Sequence, residues 1–188
     1  METKTMSRIF WKNLLIPILS PQQNLSSNEP TRIAIVGIGN EFNGDDAAGV
    51  LVARKLNSRE RSTDADHVLV IEAGQAPENI TADLRRFRPQ VVLLIDAAQV
   101  EAAPGEIVWI PWETTSGMSA SSHSLPLSML ARYLTLEFGC KVHLLGIQAE
   151  NTEREGFLSS SVQAAVDDIF QTLSDALFAL PDILNFIE

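Results

Sequence analysis

Short aliphatic runs alternate with longer stretches of helical periodicity along most of the chain. Ile33–Ile38 (IAIVGI) and Gln90–Ile95 (QVVLLI) are apolar nearly throughout, as strands buried on both faces of a parallel sheet must be. Asp66–Ile71 (DHVLVI) and Lys141–Ile147 (KVHLLGI) predict two further strands. Glu106–Ile110 (EIVWI) follows a Pro104–Gly105 turn too soon after Ile95 for a crossover, so this short strand is expected to run antiparallel. Helical spacing fills the gaps. A first apolar helix runs from Asp46 to about Leu56, and a second starts at Pro77–Glu78, carries Ile80, Leu84 and Phe87 on one face, and stops at Pro89. A third starts at Pro126, with Leu127, Leu130, Leu134 and Phe138 in step and Gly139 as its end. The last begins at Ser160 or Ser161, aligns Val162, Val166, Ile169, Leu173 and Leu177, and is ended or bent by Pro181. Pro111–Ser124 predicts an irregular surface loop. The pattern implies a three-layer α/β domain, with a mostly parallel twisted sheet of about five strands, helices on both faces and one antiparallel strand.

Residues 1–30 stand outside this alternation. Phe10–Leu19 (FWKNLLIPIL) is apolar but holds Lys12 and Pro17, is far below membrane-spanning length, and leads into the polar linker SPQQNLSSNEP. No A-x-A cleavage signal follows, so the segment is expected to be an extension, packed or mobile, on a single domain of residues 31–188. With 188 residues, 45% of them hydrophobic, the chain is long enough for one sizeable core and short for two. A net charge of −10 argues against nucleic acid and anionic membranes as principal partners. The lone Cys140 excludes an intrachain disulfide framework and a thiolate-rich zinc site, and fits a reducing cytoplasm.

Three side chains stand where chemistry is expected. Asp46 follows the first strand across a glycine-rich turn, Asp96 ends the third strand, and His123 closes the long loop. The carboxyl edge of an open α/β sheet is where such folds place their ligands. Asp45 reads as the cap of the first helix, which leaves Asp46 less explained by capping. An acid directly after VVLLI must be solvated in a crevice, paired or bound. Two carboxylates and an imidazole suit a borderline transition metal such as nickel or zinc, with modest affinity unless a partner supplies further donors. Gly37 and Gly39 suggest a dinucleotide fingerprint as an alternative, with Glu72 as the ribose-binding acid. Phe42, however, occupies the third glycine position, and two acids would repel a pyrophosphate. His67 and His143 read as structural, Cys140 as a small buried residue, and Trp109 and Trp112 as cover for the sheet edge or part of a partner surface. No G-x-S-x-G elbow and no HExxH motif is present.

The ordered segments GIGNEFNGDDAAG (37–49), AGQAPEN (73–79), RPQVVLLIDAAQ (88–99), PGEI (104–107), SSHSLPL (121–127) and LLGIQ (144–148) resemble the nickel-iron hydrogenase maturation endopeptidases, above all the formate-linked and energy-converting branch. The resemblance implies a cytoplasmic endopeptidase, aspartyl-type or metal-dependent, that removes the C-terminal propeptide of a hydrogenase large-subunit precursor after nickel insertion. It carries over Asp46, Asp96 and His123 as the residues that contact nickel and support catalysis, with Gly39, Asn40, Gly44 and Asp45 shaping the same edge. The nickel would come with the precursor, and zinc or cadmium could take its place in vitro. Neither nucleic acid nor stable membrane insertion is expected. A nickel-binding checkpoint or metallochaperone that leaves the precursor uncut, and a small nucleotide-binding enzyme, are the competing expectations.

Overall fold

A computed structural model describes residues 2–19, 29–59, 66–113, 126–153 and 156–178. In chain order these form α1 (Glu2–Leu19), β1 (Ile33–Ile38), a 3-10 turn (Gly44–Ala47), α2 (Ala48–Ser58) and β2 (Val68–Gly74). A second 3-10 turn (Pro77–Ile80) leads into α3 (Thr81–Phe87), and then come β3 (Val91–Ala98), β4 (Ile107–Ile110), α4 (Leu127–Phe138), β5 (Lys141–Gln148) and α5 (Ser160–Phe178). The strands form one sheet in the order β2-β1-β3-β5-β4. β1 pairs parallel with β2 and β3, β3 pairs parallel with β5, and β4 pairs antiparallel with β5, as the short spacing before Glu106 requires.

Side-chain alternation along the central strands divides the core in two. Ile33 and Ile35 of β1 with Leu93 and Ile95 of β3 face α2 and α5. Ala34, Val36 and Ile38 with Val92 and Leu94 face α3 and α4. Both sides being covered explains why these strands show no polar alternation. α4 ends at Gly139 in a left-handed conformation (φ 65°), whose N–H donates to Thr135 O.

Residues 2–19 are a helix, and Trp11, Leu15 and Leu19 insert one stripe into the α2/α5 side of the core. Lys12 Nζ adds a 2.6 Å ion pair to Asp168 of α5. Among the described residues, no helix is long and apolar enough to cross a membrane.

Candidate active site

The strand order sets the location. From the carboxyl end of β1 the chain crosses by α2 to β2 on one side, whereas β3 lies on the other side of β1. The two neighbouring strands therefore send their outgoing connections apart, which makes this the switch point where open α/β sheets place their ligand crevice. Gly37 of β1 is paired with Ile95 of β3.

Two glycines bring the start of α2 down onto this edge. A Cβ on Gly49 would lie 2.1 Å from Ile95 O and 2.4 Å from Ile38 O, and one on Gly37 would lie 2.2 Å from Gly49 O. No side chain fits either gap, so the helix sits directly on the two strands. The 44–47 turn, one helical turn upstream of Gly49, is thereby packed against β3.

Asp46 lies in that turn and is 5% exposed. Its Oδ2 accepts the N–H of Asn40 at 3.2 Å, and its backbone oxygen takes the same N–H at 3.1 Å. Gly39 makes this wrap possible. It adopts φ +133°, and a Cβ there would stand 1.8 Å from Asp46 O. Asp96 is 2% exposed. It lies within β3 and not at its end, because the parallel ladder to β5 continues through Asp96–Gly146 to Ala98–Gln148. Alternation puts it on the same strand face as Leu94, at the edge next to β1. Asp46 and Asp96 thus lie on two segments, the 44–47 turn and β3, that pack against each other at the carboxyl edge. His123, the third expected donor, lies outside the described residues, and among those described no three metal-ligating side chains come together.

Asp45 corrects the sequence-based expectation. It caps no helix; the residue before the turn is Asn43, which makes no side-chain cap either. The Asp45 carboxylate is fully buried and accepts four hydrogen bonds: Glu150 N (2.8 Å), Asn151 N (2.9 Å), Ser159 N (2.7 Å) and Ser159 Oγ (3.0 Å). Its own N–H donates to Asn151 O at 2.8 Å. Three of the acceptor bonds come from backbone N–H groups, which compensate the buried charge. The β5–α5 connection is therefore tied to the glycine-rich turn. Gly44 (φ +54°) completes the joint, since a Cβ there would be 2.7 Å from Asn151 O.

Gln148 is a further buried polar residue at this edge, 6% exposed. Its buried Oε1 accepts Val100 N (2.9 Å) and Ala102 N (3.2 Å), and its Nε2 donates to Gln99 Oε1 and Ala149 O. The loop leaving β3 just beyond Asp96 is held this way. An amide ending an otherwise apolar strand was the available signal.

The other candidates fall to structural roles. Glu72 is bonded to Arg54 and Asn57 of α2, which weakens the ribose-binding alternative. Cys140 is buried, and burial pushes its thiol pKa up, so it is a poor nucleophile. His143 packs its ring 4.9 Å from that of Trp109, and Trp112 Nε1 donates to Val142 O, so both tryptophans cover the β4/β5 side of the sheet. What remains at the crevice is a pair of nearly buried carboxylates. Such a pair can donate oxygen to a divalent cation, or one member can take a proton from water.

Comparison with known proteins bears on which of these applies. A family model described as hydrogenase maturation protease (HycI) matches residues 50–176, a span that includes Asp96 and begins four residues after Asp46. The hydrogenase 3 maturation protease of Escherichia coli K12 is 32% identical over 137 residues, covering 72% of this chain and 85% of the relative. The crystal structure of a NiFe hydrogenase maturation protease HycI from Thermococcus kodakarensis KOD1 is similar with a TM-score of 0.71 at 32% identity, over 78% of this chain and 92% of that one. A crystal structure titled hydrogenase 3 maturation protease gives a TM-score of 0.66 at 30% identity, over 75% and 88%.

Proposed function

Because the chain belongs to the hydrogenase maturation protease family, and so is an endopeptidase of hydrogenase maturation, we propose that it removes the C-terminal peptide of a nickel-iron hydrogenase large-subunit precursor once nickel has been inserted. The observation that carries this reading is the convergence of Asp46 and Asp96, both nearly buried, at the β1/β3 crevice of a chain from that family. Nickel belongs to the substrate in this scheme. Asp46 and Asp96 offer it oxygen donors, and His123 offers a nitrogen donor.

Each carboxylate suits the role for a physical reason. Asp46 sits in the turn that opens α2, and that turn packs against β3 at the sheet edge. Asp96 lies in a low-dielectric setting, where attraction to a divalent cation is far stronger than in water. The metal carried by the precursor would hold the tail against this edge, so an unmetallated precursor would lack the contact that orients it. Hydrolysis then adds water to the scissile carbonyl, breaks the C–N bond and delivers a proton to the departing amine. A carboxylate of the pair takes the water's proton. The lone reduced cysteine fits a cytoplasmic setting for this step.

The test is the mass of a purified precursor, with and without inserted nickel, after addition of the protein. Loss of one defined C-terminal peptide from the nickel-loaded form alone is the expected result. Asp96→Asn should reduce that processing by about a thousandfold while melting like the wild type, in line with losing a group that acts directly in hydrolysis. Binding of nickel-loaded precursor with unchanged mass would make the protein a checkpoint, and normal processing by folded Asp96→Asn would remove that residue from the site.

A further inference from the structure

The two nearly buried carboxylates offer little surface to a peptide, so affinity for the precursor has to come from what surrounds them. Two large aromatic side chains stand there in solvent: Phe42 is 66% exposed and Phe157 is 92% exposed. They belong to different loops, yet both loops are fastened to the turn that carries Asp46. Asn40, whose N–H is held by Asp46, takes the N–H of Phe42 on its side-chain oxygen at 3.0 Å. Phe157 lies two residues before Ser159, which is bonded twice to Asp45, and a Cβ on Gly44 would be 3.5 Å from Phe157 O.

We propose that Phe42 and Phe157 are the docking rim for the precursor, seating an extended apolar segment of its tail so that the cleaved bond reaches Asp46 and Asp96. This rests on the proposed function above and extends it to how the substrate is held. Folding alone gives no reason to tie down the loops that carry these two rings and leave the rings wet. Aromatic side chains on fixed backbone are what protein interfaces use as anchors, since little freedom is lost on binding. The charge of the rim narrows the occupant. Among the described residues of segments 39–47 and 149–159, Glu41, Glu150 and Glu153 are exposed and of these only Glu41 has a cation against it, Arg54, so an acidic tail is repelled and an apolar, non-acidic one is accepted. Leu136 is 76% exposed in the last turn of α4, which leads to the start of β5 at the opposite edge of the sheet, so it serves as a control.

The test compares Phe42→Ala/Phe157→Ala with Leu136→Ala in precursor processing. The double variant should raise KM by about tenfold or more with kcat within about twofold, as loss of interface anchors does. Leu136→Ala should leave both unchanged. Both variants should melt like the wild type, because the truncated groups are solvent-exposed. The same pair of substitutions placed on Asp96→Asn, which cuts about a thousandfold more slowly, should weaken binding of nickel-loaded precursor by about the same factor, so docking is read ahead of cleavage. An unchanged KM and unchanged binding would overturn the rim while leaving the protease reading intact. So would a change only in self-association, which would assign the rings to a second copy of this chain. Binding of nickel-loaded precursor by the wild type with no change in precursor mass would strike the proposed function instead.

Discussion

The two edges of this sheet handle charge in opposite ways. At the carboxyl edge Asp45, Asp46, Asp96 and Gln148 are all buried, and long-range hydrogen bonds run to Asp45 and Gln148. At the amino edge Arg88, Gln90 and Lys141 remain in solvent, and the strand starts are joined mainly by backbone bonds such as Gln90 N to Arg32 O and Lys141 N to Gln90 O. A groove of about 620 Å³ opens there, lined by Pro17, Arg88, Phe138, Lys141 and His143 among others. Burying a carboxylate is costly unless it is compensated, so a fold that needed only stability would treat both edges like the amino one. The asymmetry supports the proposal that the carboxyl edge is the one that carries the chemistry. The two edges should therefore respond very differently to substitution.

Asp96→Asn has the largest expected effect, through processing and not through stability, as set out above. Asp45→Ala comes next and should act on both. Removing a buried carboxylate with four donors leaves three backbone N–H groups without it, at a cost of about 3 kcal/mol, to be read from chemical denaturation. Because Asp45 ties the Phe157 loop to the Asp46 turn, processing should fall even below the melting transition. A variant as stable and as active as the wild type would show that this joint is dispensable.

How far these features were legible follows from the range of each interaction. β1 has the bounds its apolar run predicts, Ile33–Ile38, because Arg32 and Gly39 frame a strand that neighbours bury on both faces. β3 runs three residues past its predicted end, since an acid reads as a stop but the ladder with β5 does not depend on side-chain polarity at Asp96. β2 is Val68–Gly74 where Asp66–Ile71 was expected, with a register shift against β1 at Gly37/Ile38. Asp45 was misassigned because its partners lie more than a hundred residues away, and local spacing offered the nearer explanation of a cap. The stripe Trp11, Leu15 and Leu19 of α1 was present in the sequence, but Lys12 and Pro17 broke the apolar run around it. Asp46 and Asp96, the carboxylates of the proposed site, were by contrast legible locally, one after the glycine-rich turn that follows the first strand and one interrupting the apolar run VVLLI.

At the amino edge the expected effects shrink and one changes sign. Arg88 ends α3 in the left-handed region at φ 54°, where its Cβ is crowded and glycine is at ease. Its side chain is exposed, and its N–H and carbonyl, which serve Leu84 O and Arg32 Nε, would be kept by glycine. Arg88→Gly should thus stabilise the fold by about 1 kcal/mol in denaturant unfolding and leave processing unchanged. A destabilised variant would mean that the arginine side chain matters to this edge after all.

The smallest effect concerns pH. His143 is half-buried against Trp109, and desolvation lowers its pKa from the usual 6.5, with Lys141 acting in the same direction and Glu113 opposing. The unfolded chain therefore takes up a proton on this residue at a higher pH than the folded one does. Unfolding is favoured wherever the unfolded state binds more protons, so stability is complete above about pH 6.5 and is lost as pH falls from there through the folded value. His143→Phe keeps a ring beside Trp109 and removes the titrating group. Its melting temperature should fall less than that of the wild type between pH 7 and pH 5, and identical slopes would show that the edge groove leaves this imidazole free to protonate in the folded state.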